Sequence, residues 1–198
     1  MAYAVSYVGV IYKYLFPIKK KSRMYISIIP MDTQAMTTAC GDYDSIEWMY
    51  MPLNGKVPIM KKWQTLEESV EPRGDQNVGI VTGKQSNITV VDVDVKDEGT
   101  AMLKILRTCI DLPMTPVART GSGGFHLYFQ YEPDLRTASK CVSAVFGDTT
   151  QKYGIDIRND GGQVVAPPSI HPTTKKAYKW IYSPMDTQAS RMPTELKL

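Results

Sequence analysis

Two short apolar runs carry three carboxylates: Asp92 and Asp94 in VVDVD, and Asp156 in GIDIR. A carboxylate inside an apolar strand loses hydration, so it needs a cation or open solvent to meet it. Three such acids suit a hard divalent cation, Mg²⁺ or Mn²⁺, which takes oxygen ligands and keeps positions for substrate phosphates. Between the two runs lies TGSGGFHLYF, residues 120–129. Its glycines permit a tight turn and close backbone approach. The Thr120 and Ser122 hydroxyls, the preceding Arg119 and the following His126 are all suited to phosphate oxygens. Three acids, a histidine and a glycine turn together point to metal-assisted phosphate chemistry.

Each feature alone has a plainer reading. VVDVD is then a strand end with two solvated aspartates, Gly123 and Gly124 a hairpin turn, and His126 a structural histidine. Asp156 and Arg158 would be a simple ion pair. Lys84 in VTGKQS lies on a turn, since the spacing of a Walker loop is absent. His171 in PPSIH reads as a structural loop residue, and Met102 and Met114 as packing.

Strand alternation sets how these residues are positioned. Asp92 and Asp94 fall on one face with Val91 and Val93 on the other, His126 and Tyr128 share a face, and so do Asp156 and Arg158. The patterning predicts adjacent strands of one sheet over 78–81 and 88–93, joined by a turn containing Gly83. A helix is expected over 97–109, opening on an acidic first turn at Asp97 and Glu98. Further strands are expected over 117–119 and 125–131, in GIDIR and QVVAP, and over 178–182, with a second helix near 139–146. LNGKVP, residues 53–58, reads as a turn. This mixed order is that of an α+β fold whose sheet is covered mainly on one face.

At 198 residues the chain fits one domain, or a domain with a tail. Cys40, Cys109 and Cys141 form no paired motif, which argues against a local zinc site or disulfide framework and for a reduced, intracellular setting. All five charges of the first thirty residues are basic, leaving 18 basic against 20 acidic residues beyond. That balance gives no nucleic-acid footprint by itself. Residues 1–18 are apolar but too short and interrupted to span a membrane, and they lack a secretory leader's leading charges. Residues 1–41 are therefore read as an extension, 42–182 as the globular domain, and 183–198 as a tail or linker. PMDTQA occurs twice, at 30–35 and 184–189, too short for a structural repeat.

The order VVDVD, TGSGGFHLYF, GIDIR and GGQVVAPPSIH, preceded by LNGKVP, Trp63 and NVGIVTG, resembles the bifunctional primase-polymerase (prim-pol) domain of the archaeo-eukaryotic primase superfamily. The resemblance covers roughly residues 42–182. It implies an RNA-recognition-motif-like catalytic sheet joined to a smaller N-terminal α/β unit. Asp92, Asp94 and Asp156 would hold two divalent metals, and His126 would contact the triphosphate of the incoming nucleotide. Arg119, Ser122, Gly123, Gly124 and Arg158 are carried as nucleotide contacts; Gly124 stands where many members have serine.

The activity implied is template-directed nucleotidyl transfer on single-stranded DNA from NTP or dNTP, in a virus, plasmid or mobile element. The chain would be a piece of a larger protein with a helicase domain or partner, or a stand-alone domain, with no membrane partner. Two other classes fit the acids or the sheet. One is a metal-dependent nuclease. The other is a non-catalytic single-strand binder offering Tyr128 and Phe129 for base stacking.

Overall fold

The computed structural model describes residues 32–139 and 153–197. Helix α1 (Thr33–Ser45) leads into strands β1 (Tyr50–Asn54), β2 (Val57–Pro58), β3 (Asn77–Val81) and β4 (Ile88–Val93). Helix α2 (Gly99–Cys109) follows, then β5 (Val117–Arg119), β6 (Phe125–Gln130), β7 (Ile155–Arg158), β8 (Gln163–Val165) and β9 (Lys179–Tyr182). The strands form two antiparallel sheets, of order β2-β1-β3-β8 and β7-β4-β6-β5-β9. The fold is mixed α/β.

The partition into two sheets corrects one expectation. β3 and β4 are not neighbours: β3 lies between β1 and β8, and β4 between β6 and β7. Only a bridge between Gly83 and Ile88 links them. Both edges of each strand are already occupied, so the short turn hands the chain from one sheet to the other. GIDIR and QVVAP divide in the same way, as β7 and β8.

A shared aromatic core joins the sheets. Trp48 stacks on Tyr128 at a centroid distance of 5.1 Å and 15° between planes, and Trp180 meets Tyr128 at 5.1 Å. Val78 and Ile80 of one sheet and Val90 and Ala118 of the other enclose this cluster. Helix α1 closes it with Met36, Cys40 and Tyr43, an i, i+4, i+7 stripe that one helical face must bury. Asp32 caps that helix by accepting from the Gln34 amide at 3.0 Å.

This helix runs across the expected boundary between residues 41 and 42. The described part of the first PMDTQA copy, Asp32 to Ala35, caps and opens this helix, because an apolar stripe follows. The second copy lies in a turn, where Asp186 and Thr187 donate backbone N–H groups to the Ser183 carbonyl.

The opposite face of the five-stranded sheet is covered by α2. Met102 and Leu106 pack on Val91, Val93, Leu127 and Phe129. Residues expected as a tail lie on the same face: Met192 and Leu196 join this cluster, and Lys197 pairs with Glu132 at 2.7 Å. The sheet is therefore covered on both faces, except where the acids lie.

Helix α2 also begins later than its acidic residues suggest. Asp97 and Glu98 have φ of 51° and 57°, outside the right-handed helical region. The chain turns sharply there, and Gly99 starts the helix because a Cβ at that position would meet the Gly154 and Asp94 carbonyl oxygens at 2.2 and 2.4 Å. The helix expected near 139–146 lies outside the described residues, apart from Ser139. Among the described residues no helix is long and apolar enough to cross a membrane.

Candidate active site

Strand β4 is the axis of the site. Asp92 is directly opposite His126 of β6 on one side and Asp156 of β7 on the other. Residues opposite one another in an antiparallel ladder share a face, so three neighbouring strands present Asp156, Asp92 and His126 as one row. Asp94, two residues further along, joins them as alternation requires. Carboxylate oxygens of Asp92, Asp94 and Asp156 all lie within 4.8 Å of one another.

The row is held by mixed charges. His126 Nε2 is 3.3 Å from Asp92 Oδ1, and Arg158 Nη2 is 3.4 Å from Asp92 Oδ2 and 2.6 Å from Asp156 Oδ2. Ser139 donates to Asp156 Oδ2 at 3.2 Å. Burial alone would raise the Asp92 carboxyl, but His126 and then Arg158 override it and hold it below the usual carboxylate range. Asp94 goes the other way: burial, and then the charge of Asp92, push its carboxyl up. His126 Nδ1 is enclosed without a hydrogen-bond partner among the described residues, which leaves Nε2 as the nitrogen facing the acids.

This donor set fits a hard divalent cation. All three ligand groups are carboxylate oxygens from a rigid sheet, and a positive nitrogen of Arg158 already bridges two of them. Asp92, Asp94 and His126 open into a cleft of about 370 Å³ between the sheets, within the size range of small-molecule sites, and Asp156 is buried beside them.

Residues 40–196 match the family described as bifunctional DNA primase/polymerase, N-terminal, or Prim-Pol. The chain belongs to the Prim-Pol family. No curated protein matches it. Membership implies a nucleotidyltransferase-type enzyme that handles DNA and nucleotides, and the acidic triad is the group that can hold its metal.

The Prim-Pol chain brings most, not all, of the expected site residues together. Thr120, Ser122, His126 and Arg158 line the cleft with Asp92 and Asp94. Arg119 does not. It is next to Ala118, which pairs with His126, so alternation sends the Arg119 side chain to the opposite face, where it is exposed. Gly123 and Gly124 are explained by backbone geometry. Gly123 has φ of 102° and gives its N–H to the Thr120 carbonyl at 3.0 Å, inside the hairpin. At Gly124 a Cβ would lie 2.1 Å from the Val93 carbonyl oxygen, so the serine common elsewhere has no room here.

Tyr128 and Phe129 are fully buried, one beneath Trp48 and the other against α2, which removes the stacking surface that a base-binding sheet would use. Lys84 is on a turn, its N–H held by Asp160 at 2.8 Å. His171 accepts backbone N–H groups of Thr173 and Thr174 at Nδ1, at 3.2 and 3.1 Å, a structural role.

Sequence reasoning missed several cleft residues, Lys56 and Tyr178 among them. Lys56 stands at the tip of the β1–β2 hairpin, and Tyr178 lies between His126 and His171, with centroids at 6.0 and 6.2 Å. A lysine at a turn tip gives no local signal; only the pairing of two sheets aims it at the acids.

Proposed function

We propose that this chain is a template-directed DNA primase/polymerase that makes or extends primers on single-stranded DNA, serving replication of a virus, plasmid or mobile element. The observation that carries the reading is the cross-strand row Asp156–Asp92–His126 with Asp94 beside it. Two metals held by these acids would lower the pKa of an attacking 3′-hydroxyl and neutralise charge on departing pyrophosphate.

The chain's own residues do the rest. His126 offers Nε2 to the triphosphate, Arg158 offers a guanidinium suited to phosphate oxygens, and the Thr120 and Ser122 hydroxyls lie at 2.9 Å from each other on the same wall. Lys56 faces them from the other sheet. Positioning of the α-phosphate in line with the hydroxyl supplies most of the acceleration, since the sheet fixes Asp92, Asp156 and His126 in advance. The strand order β7-β4-β6-β5, with β4 and β6 central, supports an RNA-recognition-motif-like catalytic sheet. A helicase domain or protein would supply the opened template.

The test is incorporation of labelled ribo- or deoxynucleotides on single-stranded DNA, with and without an annealed primer, in Mg²⁺ or Mn²⁺. Metal-dependent, template-directed products are expected on primed DNA. No product with either metal and either nucleotide would overturn the proposal.

A further inference from the structure

We propose that Arg158 makes metal entry at the triad depend on the nucleotide: in the nucleotide-free protein its guanidinium fills the place between Asp92 and Asp156, and the triphosphate draws it out. The inference rests on the reading of the triad as the metal site. A single nitrogen, Nη2, contacts carboxylates from two adjacent strands, at 2.6 Å to Asp156 and 3.4 Å to Asp92. Both carboxylates belong to the triad that would hold a divalent cation, so the guanidinium competes with the metal for them. A guanidinium does not lose its proton in a protein, so it cannot yield to a metal by deprotonation and must move.

Arg158 has room to do so. Its side chain is 28% exposed, against 16% for Asp92 and 12% for Asp156, and it lines the open cleft. It extends from the end of β7, opposite Val90, and among the described residues its guanidinium bonds to Asp92 and Asp156 and not to the aromatic floor. A triphosphate offers several anionic oxygens in the forked geometry that guanidinium prefers. Binding of the nucleotide therefore removes the competing guanidinium from Asp92 and Asp156. The two events become mutually favourable through one side chain, as linkage requires.

The test measures Mn²⁺ affinity without nucleotide, by paramagnetic resonance of free Mn²⁺, for the unaltered protein and for Arg158→Gln, Arg158→Lys and Asp92→Asn. Arg158→Gln should bind Mn²⁺ about tenfold more tightly than the unaltered protein, inside the ordinary range of coupling between sites. Arg158→Lys, shorter and unable to fork, should bind about threefold more tightly. It decides the question if repulsion among the bare carboxylates keeps the glutamine variant from folding. Equal or weaker Mn²⁺ binding by both folded Arg158 variants would overturn the proposal. In EDTA, Arg158→Gln should bind nucleotide more weakly than the unaltered protein; equal affinity would refute the triphosphate half. If Asp92→Asn keeps the full Mn²⁺ affinity, the ion is bound elsewhere and the metal-site reading itself fails.

Discussion

At the scale of single residues, the site is fixed as much by missing atoms as by charged groups. Gly124 precedes β6, and its bare Cα lets the hairpin lie against the Val93 carbonyl, which sets β6 in register with β4 and His126 opposite Asp92. Replacing Gly124 with alanine or serine puts a Cβ 2.1 Å from that oxygen, and a backbone carbonyl cannot rotate away as a flexible side chain can. The expected cost is about 1–3 kcal/mol, the usual range for overpacking, read as a lower urea midpoint. An unchanged midpoint would show that the hairpin adjusts freely. The acids and His126 were legible from alternation and motif order. The true duty of Gly124 was not, because a close approach between distant strands leaves no trace in local spacing.

At the scale of elements, β4, β5 and β6 follow the sequence pattern closely, since β4 and β6 are short, nearly continuous apolar runs bounded by turn residues. Alternation says which face a residue takes but not which strand is its neighbour, so the division of β3 and β4 between two sheets stayed hidden. Helix α1 was hidden for another reason: TQAMTTACGDYDS is poor in strong helix formers, and only the Met36, Cys40, Tyr43 stripe and the Asp32 cap betray it. Its docking can be tested chemically. Burial, followed by the charges of Glu71 and Asp44, pushes the Cys40 thiol up to about 12, and the thiolate is the reactive form. Cys109 on α2 is exposed. In native protein a maleimide should modify Cys109 quickly and Cys40 only after denaturant is added, read by mass spectrometry of the peptides. Labelling of both at one rate would mean that α1 does not cover the core.

At the scale of the whole molecule, two antiparallel sheets share an aromatic floor and leave a cleft above it, with acids from the centre of one sheet and Lys56 from a hairpin of the other. Neither sheet forms this site alone, which is why composition and charge balance pointed to no function while the ordered motifs did. Because Asp92 lines the cleft and is partly exposed, its isosteric asparagine should spare the fold. The most direct test of the account compares nucleotide incorporation on a primed DNA template by the unaltered protein and by Asp92→Asn, with circular dichroism as the control for folding. Asp92 sits between His126 and Asp156, so the variant should keep its spectrum and lose incorporation by at least about a hundredfold, as loss of a transition-state electrostatic contact commonly does. A folded Asp92→Asn protein that still extends the primer at the unaltered rate would contradict the central claim.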